Sequence, residues 1–569
     1  GEVFFSAVES DGVYSLVFAD KNLAGATYEI TAAEDIITPD GTLRYAKGTV
    51  VDTVTTDENG NAESKLLYLG KYTVRETKAP YGMVLNSTAK TVELTYAGET
   101  VEVTETAAEF YNDRQKASLS LSKILEKDEA FNIGNNSEIL SVRFGLYAAE
   151  DLTAADGTVI PKDGLLEIAN CNENGNITFK TDIPVGAKLY VKEIATDSHY
   201  ILSDTKYPVV FEYAGQDTAV VKINANDGKA IENDLLYGSV SGKKVDEDGK
   251  VLAGAVIGLF RTDDGEFTKE TALMTATSKE DGSFSFEGIP YGTWYIREIE
   301  QPAGFVLDDT VYPVSIGKDA QVVEIKIVNK YIRGNIHLTK VDAEYPDNKL
   351  TGATFEVYKD SNGSGKLDDG DELLGTLTEK EIGSYEMKDL FYGRYFVKET
   401  KAPEGFVLDT GVYEVMIDTD GKTCEVENKA GVGFINEAMR GNLKIVKTSS
   451  DGKIKGFAFR ITGANGYDII LETNDKGEIV IEGIRIGDYT VSEVSNSASA
   501  MYVLPADKKA TVKTGSTTIV EMHNVLRDTP KTGDATNLPL LYALAGLSAV
   551  GIAVTAFVGF KKKKKEGND

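Results

Sequence analysis

Apolar and polar residues alternate with a period of two in short runs along most of this chain. In Gly70-Lys-Tyr-Thr-Val-Arg-Glu76, Tyr72 and Val74 alternate with Lys71, Thr73 and Arg75. Successive side chains of a strand point to opposite faces, so such a run predicts a strand with one buried face. The phrase recurs as Gly186-Ala-Lys-Leu-Tyr-Val-Lys-Glu193, Gly292-Thr-Trp-Tyr-Ile-Arg-Glu298, Gly393-Arg-Tyr-Phe-Val-Lys-Glu399 and Gly487-Asp-Tyr-Thr-Val-Ser-Glu493. The glutamates lie 117, 105, 101 and 94 residues apart. A period near one hundred suits whole domains in tandem rather than a short solenoid repeat. Asp57-Glu-Asn-Gly60, Asn172-Glu-Asn-Gly175, Glu280-Asp-Gly282 and Asn474-Asp-Lys-Gly477 precede four of the copies and predict hairpin turns, because Asn, Asp and Gly tolerate positive φ. No long helical period appears before residue 538, so the chain reads as all-β, built of sandwiches.

A second series marks the boundaries. Asn112, Asn233, Asn329 and Asn436 each close a strand-like run, and Lys123, Lys244, Lys340 and Lys447 each follow by 11 residues. This constancy selects Asn436 over Asn428. It divides the chain into a possible remnant of an upstream domain (1–12), repeats at 13–116, 117–237, 238–333, 334–440 and 441–528, and a C-terminal segment at 529–569. Linkers of a few residues make a semi-rigid string.

Four triples result: Lys123, Glu193, Asn233; Lys244, Glu298, Asn329; Lys340, Glu399, Asn436; and Lys447, Glu493, Asn524. If first and last strands are neighbours, the three side chains of each triple meet in a core. Desolvation there lowers the pKa of Lys and raises that of Glu. A neutral amine is a nucleophile, and a protonated Glu can donate to the Asn carbonyl and shuttle protons. The expected product is a Lys–Asn amide with loss of ammonia, formed once and without turnover. The alternative for any one triple is a surface Lys, an exposed Glu and a turn Asn. Repeat 1 departs from the pattern. Phe18 stands where the register calls for lysine, so Glu76 and Asn112 lack an amine partner and no cross-link is expected there.

The phrases Tyr72-Thr-Val-Arg-Glu76-Thr-Lys-Ala-Pro80-Tyr-Gly82 and Tyr395-Phe-Val-Lys-Glu399-Thr-Lys-Ala-Pro403-Glu-Gly405, with the triples, resemble the B-type repeats of collagen adhesins and the prealbumin-like domains of Gram-positive pilins. The third copy is weaker, and the second and fifth lack the Ala-Pro-x-Gly part. The resemblance covers about residues 13–528. It implies five tandem immunoglobulin-like (prealbumin-like) sandwiches, with the triples forming intramolecular isopeptide bonds in which Glu193, Glu298, Glu399 and Glu493 are the acids.

After residue 528 the pattern changes. Thr529-Pro530-Lys531-Thr532-Gly533 precedes an uncharged, largely apolar run from Leu538 to Phe560, then five lysines, Lys561 to Lys565. The run is long enough to cross a bilayer as a helix, with the lysines on the cytoplasmic side. This order resembles the cell-wall sorting signal of Gram-positive surface proteins, read there as Leu-Pro-x-Thr-Gly, with Thr529 here in the place of Leu. The resemblance implies an exported protein that a sortase cuts after Thr532 and joins to peptidoglycan or a pilin acceptor. The helix would lie only transiently in the plasma membrane. A plain single-pass anchor is the alternative.

Net charge is −30 over 569 residues, with 60 Lys and Arg against 90 Asp and Glu. That sign disfavours nucleic acid as a partner, since phosphate contacts need basic patches. Cys171 and Cys424 fall in different repeats and are too few for a disulfide framework. No cofactor is required. One loop, Asp360, Asn362, Ser364, Lys366 (through its carbonyl), Asp368 and Asp371, matches calcium-loop spacing in repeat 4, with an acidic hairpin turn as the alternative. Trp294 and the tyrosines lie on strand patterns and read as core or cross-strand pairs. No phosphate loop, zinc pattern or nucleophile elbow is present, so the chain reads as no enzyme. It reads as a wall-anchored stalk or adhesin segment with an unidentified host, matrix or cell-surface ligand. The alternatives are a minor or tip pilin and the stalk of a surface enzyme whose catalytic domain lies upstream.

Overall fold

The computed structural model describes residues 1–528. The sorting motif, the 538–560 run and the lysine block lie outside the described residues. Among the described residues no helix is long and apolar enough to cross a membrane. The structure is all-β, with three short 3₁₀ turns. It divides into two compact units, Gly1–Pro302 with Leu307–Asn329, and Ala303–Val306 with the chain from Lys330 onward.

The second unit holds repeats 4 and 5, each of two sheets. In repeat 4 the strand Arg333–Asp342 is the middle of its sheet: Ser384–Phe391 pairs with it antiparallel, and Thr423–Glu425 and Phe434–Asn436 pair with it parallel. The other sheet runs Glu372–Thr376, Thr354–Lys359, Gly393–Lys401, Val412–Ile417. Repeat 5 repeats the plan, with Arg440–Ser449 between Glu478–Arg485 and Thr517–Leu526. The alternation seen in sequence is the burial pattern itself: in Arg333–Asp342 the buried positions are 334, 336, 338 and 340–342. The inner faces close over cores such as Ile336, Leu338, Phe355, Val357, Tyr395, Val397 and Phe434. Arg485 ties the two repeats together, donating to both Asp342 oxygens at 2.6 Å and to Glu344 at 2.6 Å.

The first unit holds repeats 1 to 3. Repeat 3 follows the same plan, with Tyr237–Asp246 between Ser283–Pro290 and Val322–Asn329. In repeat 2, Lys116–Leu125 pairs with Asn176–Thr178 on one side and with Val220–Asn224 and Ile231–Asn233 on the other.

Repeat 1 differs from the expected complete sandwich. It keeps one four-stranded sheet, Val50–Thr55, Thr27–Ala32, Gly70–Lys78, Lys90–Leu94. Its would-be first strand, Val13–Asp20, folds back on Glu2–Ser10 as a hairpin that turns at Asp11 and Gly12, both with positive φ. Within residues 1–12, Glu2–Ser10 form the outer arm of this hairpin. The hairpin adds to the sheet of repeat 2 through the Leu165–Val13 pair. Residues 61–69 and 97–112 form no strand. The reason is topological. In the complete repeats the first strand is the centre of its sheet, and without a centre neither flank has a ladder to join.

Candidate functional site

Each complete repeat builds the same buried constellation from its two ends. The first strand has ten residues in all four, and the lysine is always the eighth: Lys123, Lys244, Lys340 and Lys447. The last strand runs parallel to it, with the asparagine opposite the residue two beyond the lysine. Asn233 pairs with Leu125, Asn329 with Asp246, Asn436 with Asp342 and Asn524 with Ser449. An offset of two keeps both side chains on one face. The glutamate enters from the opposite sheet, opposite Phe144, Ile257, Phe355 and Phe459 in turn. None of these twelve residues is more than 8% exposed.

The asparagine carboxamide donates to the carboxyl each time. Asn233 Nδ2 reaches Glu193 Oε2 at 2.8 Å, Asn329 reaches Glu298 at 2.6 Å, Asn436 reaches Glu399 at 2.8 Å and Asn524 reaches Glu493 at 2.7 Å. In repeats 2 to 4 a backbone N–H ten residues beyond the glutamate also binds it: Ser203 at 3.0 Å, Asp308 at 2.7 Å and Asp409 at 2.8 Å. Glu399 Oε1, Glu493 Oε2, Asn436 Oδ1 and Asn524 Oδ1 make no hydrogen bond. Each of these two buried pairs thus holds one unbonded carboxyl oxygen and one unbonded carboxamide oxygen, two acceptors for which a proton held on the glutamate would supply a donor. Burial raises the pKa of Glu399 and of Glu493, which favours that proton.

The amines are desolvated. Lys244 Nζ lies 3.4 Å from Glu298 Oε1. Lys340 Nζ donates to the Phe434 carbonyl at 3.0 Å, and Lys123 Nζ donates to the Ile231 carbonyl at 3.1 Å. Lys447 Nζ lies 4.2 Å from the centre of the Phe457 ring. Burial, only partly opposed by Glu193 and Glu399, holds Lys123 and Lys340 down to about 8, and it lowers Lys244 and Lys447 in the same sense.

One positioning residue escaped the reading of the sequence. A turn glycine accepts the lysine's own N–H through its carbonyl: Gly175 for Lys123 (2.6 Å), Gly282 for Lys244 (2.7 Å), Gly383 for Lys340 (2.7 Å) and Gly477 for Lys447 (2.8 Å). All four have φ between 72° and 79°. A Cβ on any of them would stand 2.2–3.0 Å from the carbonyl oxygen of that lysine. Three of these glycines were legible as turns, whereas the turn at Gly383 lacks the Asn-Gly or Asp-Gly signature.

In repeat 1 the acid and carboxamide are assembled and the amine is missing. Asn112 Nδ2 donates to Glu76 Oε2 at 2.7 Å, both residues are buried, and burial raises the pKa of Glu76. Phe18 lies in the hairpin, with the Arg114 guanidinium 3.8 Å from its ring centre.

The loop at 360–371 is closed by its own bonds. Asp360 accepts the N–H groups of Ser364 and Gly365, Asn362 donates to Asp368 at 2.7 Å, and Ser364 donates to the Lys366 carbonyl at 2.8 Å. Asp371 accepts the N–H groups of Ser361 and Asp368. Among the described residues no group of three or more His, Cys, Asp or Glu is placed to hold a metal. Trp294 is buried, with its indole N–H on the Pro290 carbonyl, as a core residue would be. Cys171 and Cys424 are free thiols.

The family of SpaA prealbumin-like fold domains matches residues 19–108, 238–331, 334–430 and 441–525. The last three ranges begin six residues before their lysines, and the first begins just after Phe18. Serine-aspartate repeat-containing protein D of Staphylococcus aureus (strain MW2) is 24% identical over 420 residues, 68% of this chain and 29% of that protein. Serine-aspartate repeat-containing protein F of Staphylococcus epidermidis is 24% identical over 257 residues, 42% of this chain and 14% of that protein. The chain thus spans less than a third of the curated relatives it matches. Among solved structures it is similar to the Bacillus anthracis TIE protein (TM-score 0.41, 20% identity, covering 68% of this chain and 69% of that one). It is also similar to BcpA, the major pilin subunit of Bacillus cereus (TM-score 0.26, 16% identity, covering 51% and 100%). The matched ranges together span more than half of the chain, which therefore belongs to the SpaA prealbumin-like fold family.

Proposed function

We propose that this chain is a segment of an exported, wall-anchored surface stalk whose repeats 2 to 5 each lock themselves with a Lys–Asn isopeptide bond. The observation that carries this reading is the fourfold recurrence, in one register, of a buried amine, carboxyl and carboxamide. The neutral lysine attacks Cγ of asparagine. The carbon–nitrogen bond to the carboxamide nitrogen breaks as the bond to Nζ forms, and glutamate passes the proton from one nitrogen to the other. Ammonia leaves, and no oxidant or cofactor is needed. Holding the partners in contact supplies the effective concentration that the reaction needs.

Cell-surface placement is supported by the staphylococcal relatives and by the order of motif, apolar run and lysines at 529–569. Sortase, with a peptidoglycan or pilin acceptor, is the partner which that order calls for. The test is the intact mass of residues 1–528, expected to fall short of the sequence mass by four molecules of ammonia. Glu→Ala at 193, 298, 399 and 493 should each restore one. A parent chain at its full sequence mass, with the four lysines free in peptide maps, would reject the chemistry.

A further inference from the structure

Repeat 1 holds a finished half of the reaction centre in an unfinished sandwich. Glu76 and Asn112 are hydrogen-bonded at 2.7 Å and buried, as in the four complete repeats. Glu76 Oε1 makes no hydrogen bond. The backbone N–H ten residues on, that of Asn86, binds Glu76 at 2.7 Å, repeating the contact of Ser203, Asp308 and Asp409 in repeats 2 to 4. The sheet that should face this pair is missing its middle strand. Val13–Asp20 is committed elsewhere: Tyr14 and Leu16, with Phe4 and Ala7 of its hairpin partner, pack on the core of the following repeats. None of these four residues packs on the small core of repeat 1.

The flanks left behind keep the composition of strands. Leu66 and Leu69 lie before Gly70, where the other repeats place an edge strand, and Val101 and Val103 lie upstream of Asn112, where the others place the last strand. All four side chains are exposed. The complete repeats show what fits between such flanks: a ten-residue extended segment with alternate apolar residues and a lysine at its eighth position. An added strand of this kind supplies main-chain bonds to both flanks at once.

We propose that repeat 1 is an acceptor site for a lysine-bearing β-strand from a second polypeptide, which completes its sheet and is joined through its lysine to Asn112. The step balances as in the other repeats: Nζ bonds to Asn112 Cγ, the carboxamide nitrogen leaves as ammonia, and Glu76 carries the proton between them. The proposal rests on the isopeptide reading of repeats 2 to 5 and extends it from a bond within one chain to a bond between two.

The test uses the full chain incubated with four synthetic peptides, the segments 116–125, 237–246, 333–342 and 440–449. The readouts are intact mass and peptide mapping. The expected product is the chain plus one peptide less one ammonia, mapped to Asn112. It should be absent with the lysine of the peptide replaced by Arg and absent in Asn112→Ala. It should form at least about 100-fold more slowly in Glu76→Gln, as loss of a proton shuttle implies. Each variant is checked for the four ammonia losses of the other repeats, which report that the chain has folded. Those four losses without any adduct, with only dissociable peptide binding, or with an adduct that survives Asn112→Ala overturn the acceptor site and leave the isopeptide reading standing. A chain with no ammonia losses and no adduct overturns both.

Discussion

Repeats 1 and 4 share their most specific phrase almost residue for residue, Tyr72 to Pro80 against Tyr395 to Pro403, yet they end in different structures. In both, the strand after the glycine carries a buried glutamate that binds a buried asparagine. Repeat 4 surrounds that pair with two sheets and a core of 14 buried residues, whereas the core of repeat 1 has five. The difference arises at the other end of the domain. Repeat 4 has Arg333–Asp342 as the centre of a sheet. In repeat 1 the corresponding strand belongs to a hairpin on its neighbour. The acid and the carboxamide therefore do not need the sandwich in order to find each other. The amine does.

The comparison is broken most severely by removing the asparagine. On the isopeptide reading, Asn436→Ala should abolish the ammonia loss of repeat 4, leaving three, and remove a covalent tie around roughly a hundred residues. The entropic model puts that at about 4–5 kcal/mol, read as a fall in the denaturant midpoint of that repeat. Asn112→Ala removes only the hydrogen bonds of that carboxamide to Glu76 and to the Val84 carbonyl and should cost about 1–3 kcal/mol, with no change in ammonia count.

The uncross-linked Asn436→Ala chain also exposes the amine to titration. Lys340 has a folded value of about 8, below that of an unfolded lysine. Between the two values the unfolded chain binds more protons, so stability should rise from pH 8 to pH 10, by up to about 3 kcal/mol. Burial shifts Glu399 upward, so its contribution changes on the acid side of this window. Repeat 1, lacking the lysine, should show no such rise when unfolding is followed over the same range.

A smaller effect separates the turns. Gly383→Ala places a Cβ 2.8 Å from the Lys340 carbonyl oxygen, and Gly60→Ala places one 2.7 Å from Asn22 Cβ, both at positive φ. Each should cost about 1–3 kcal/mol by thermal unfolding. Only Gly383→Ala should slow ammonia release, as timed by mass after refolding. Phe18→Lys should change least. It restores the missing residue type on a strand that packs elsewhere, so no fifth ammonia loss is expected within the chain. A fifth loss would show that the hairpin can return to its own repeat.

The period of two and the 11-residue spacing made the repeats and all four triples legible, because both follow directly from which strand faces which. Phe18 announced the odd repeat for the same reason. What the sequence did not announce was where Val13–Asp20 would pair. Its alternation satisfies any sheet with an apolar inner face, and the choice depends on an edge supplied by Leu165–Asn170, a hundred and fifty residues away. The lysine-binding glycines were hidden differently. Three of the four were visible as turn residues, but the hydrogen bond each accepts from its lysine's N–H depends on the pairing of strands distant in sequence.

The pocket around each amine is made from the first and the last strand of a repeat, which has a consequence for timing. While a chain is being made or threaded through an export channel, the lysine emerges early and remains an ordinary hydrated cation. Its charged form loses the support of water only when the asparagine strand arrives and shuts out the solvent, and on the proposed isopeptide chemistry that is when it becomes reactive. On that proposal completion of the repeat is its own trigger, and a half-emerged repeat has no means of locking early.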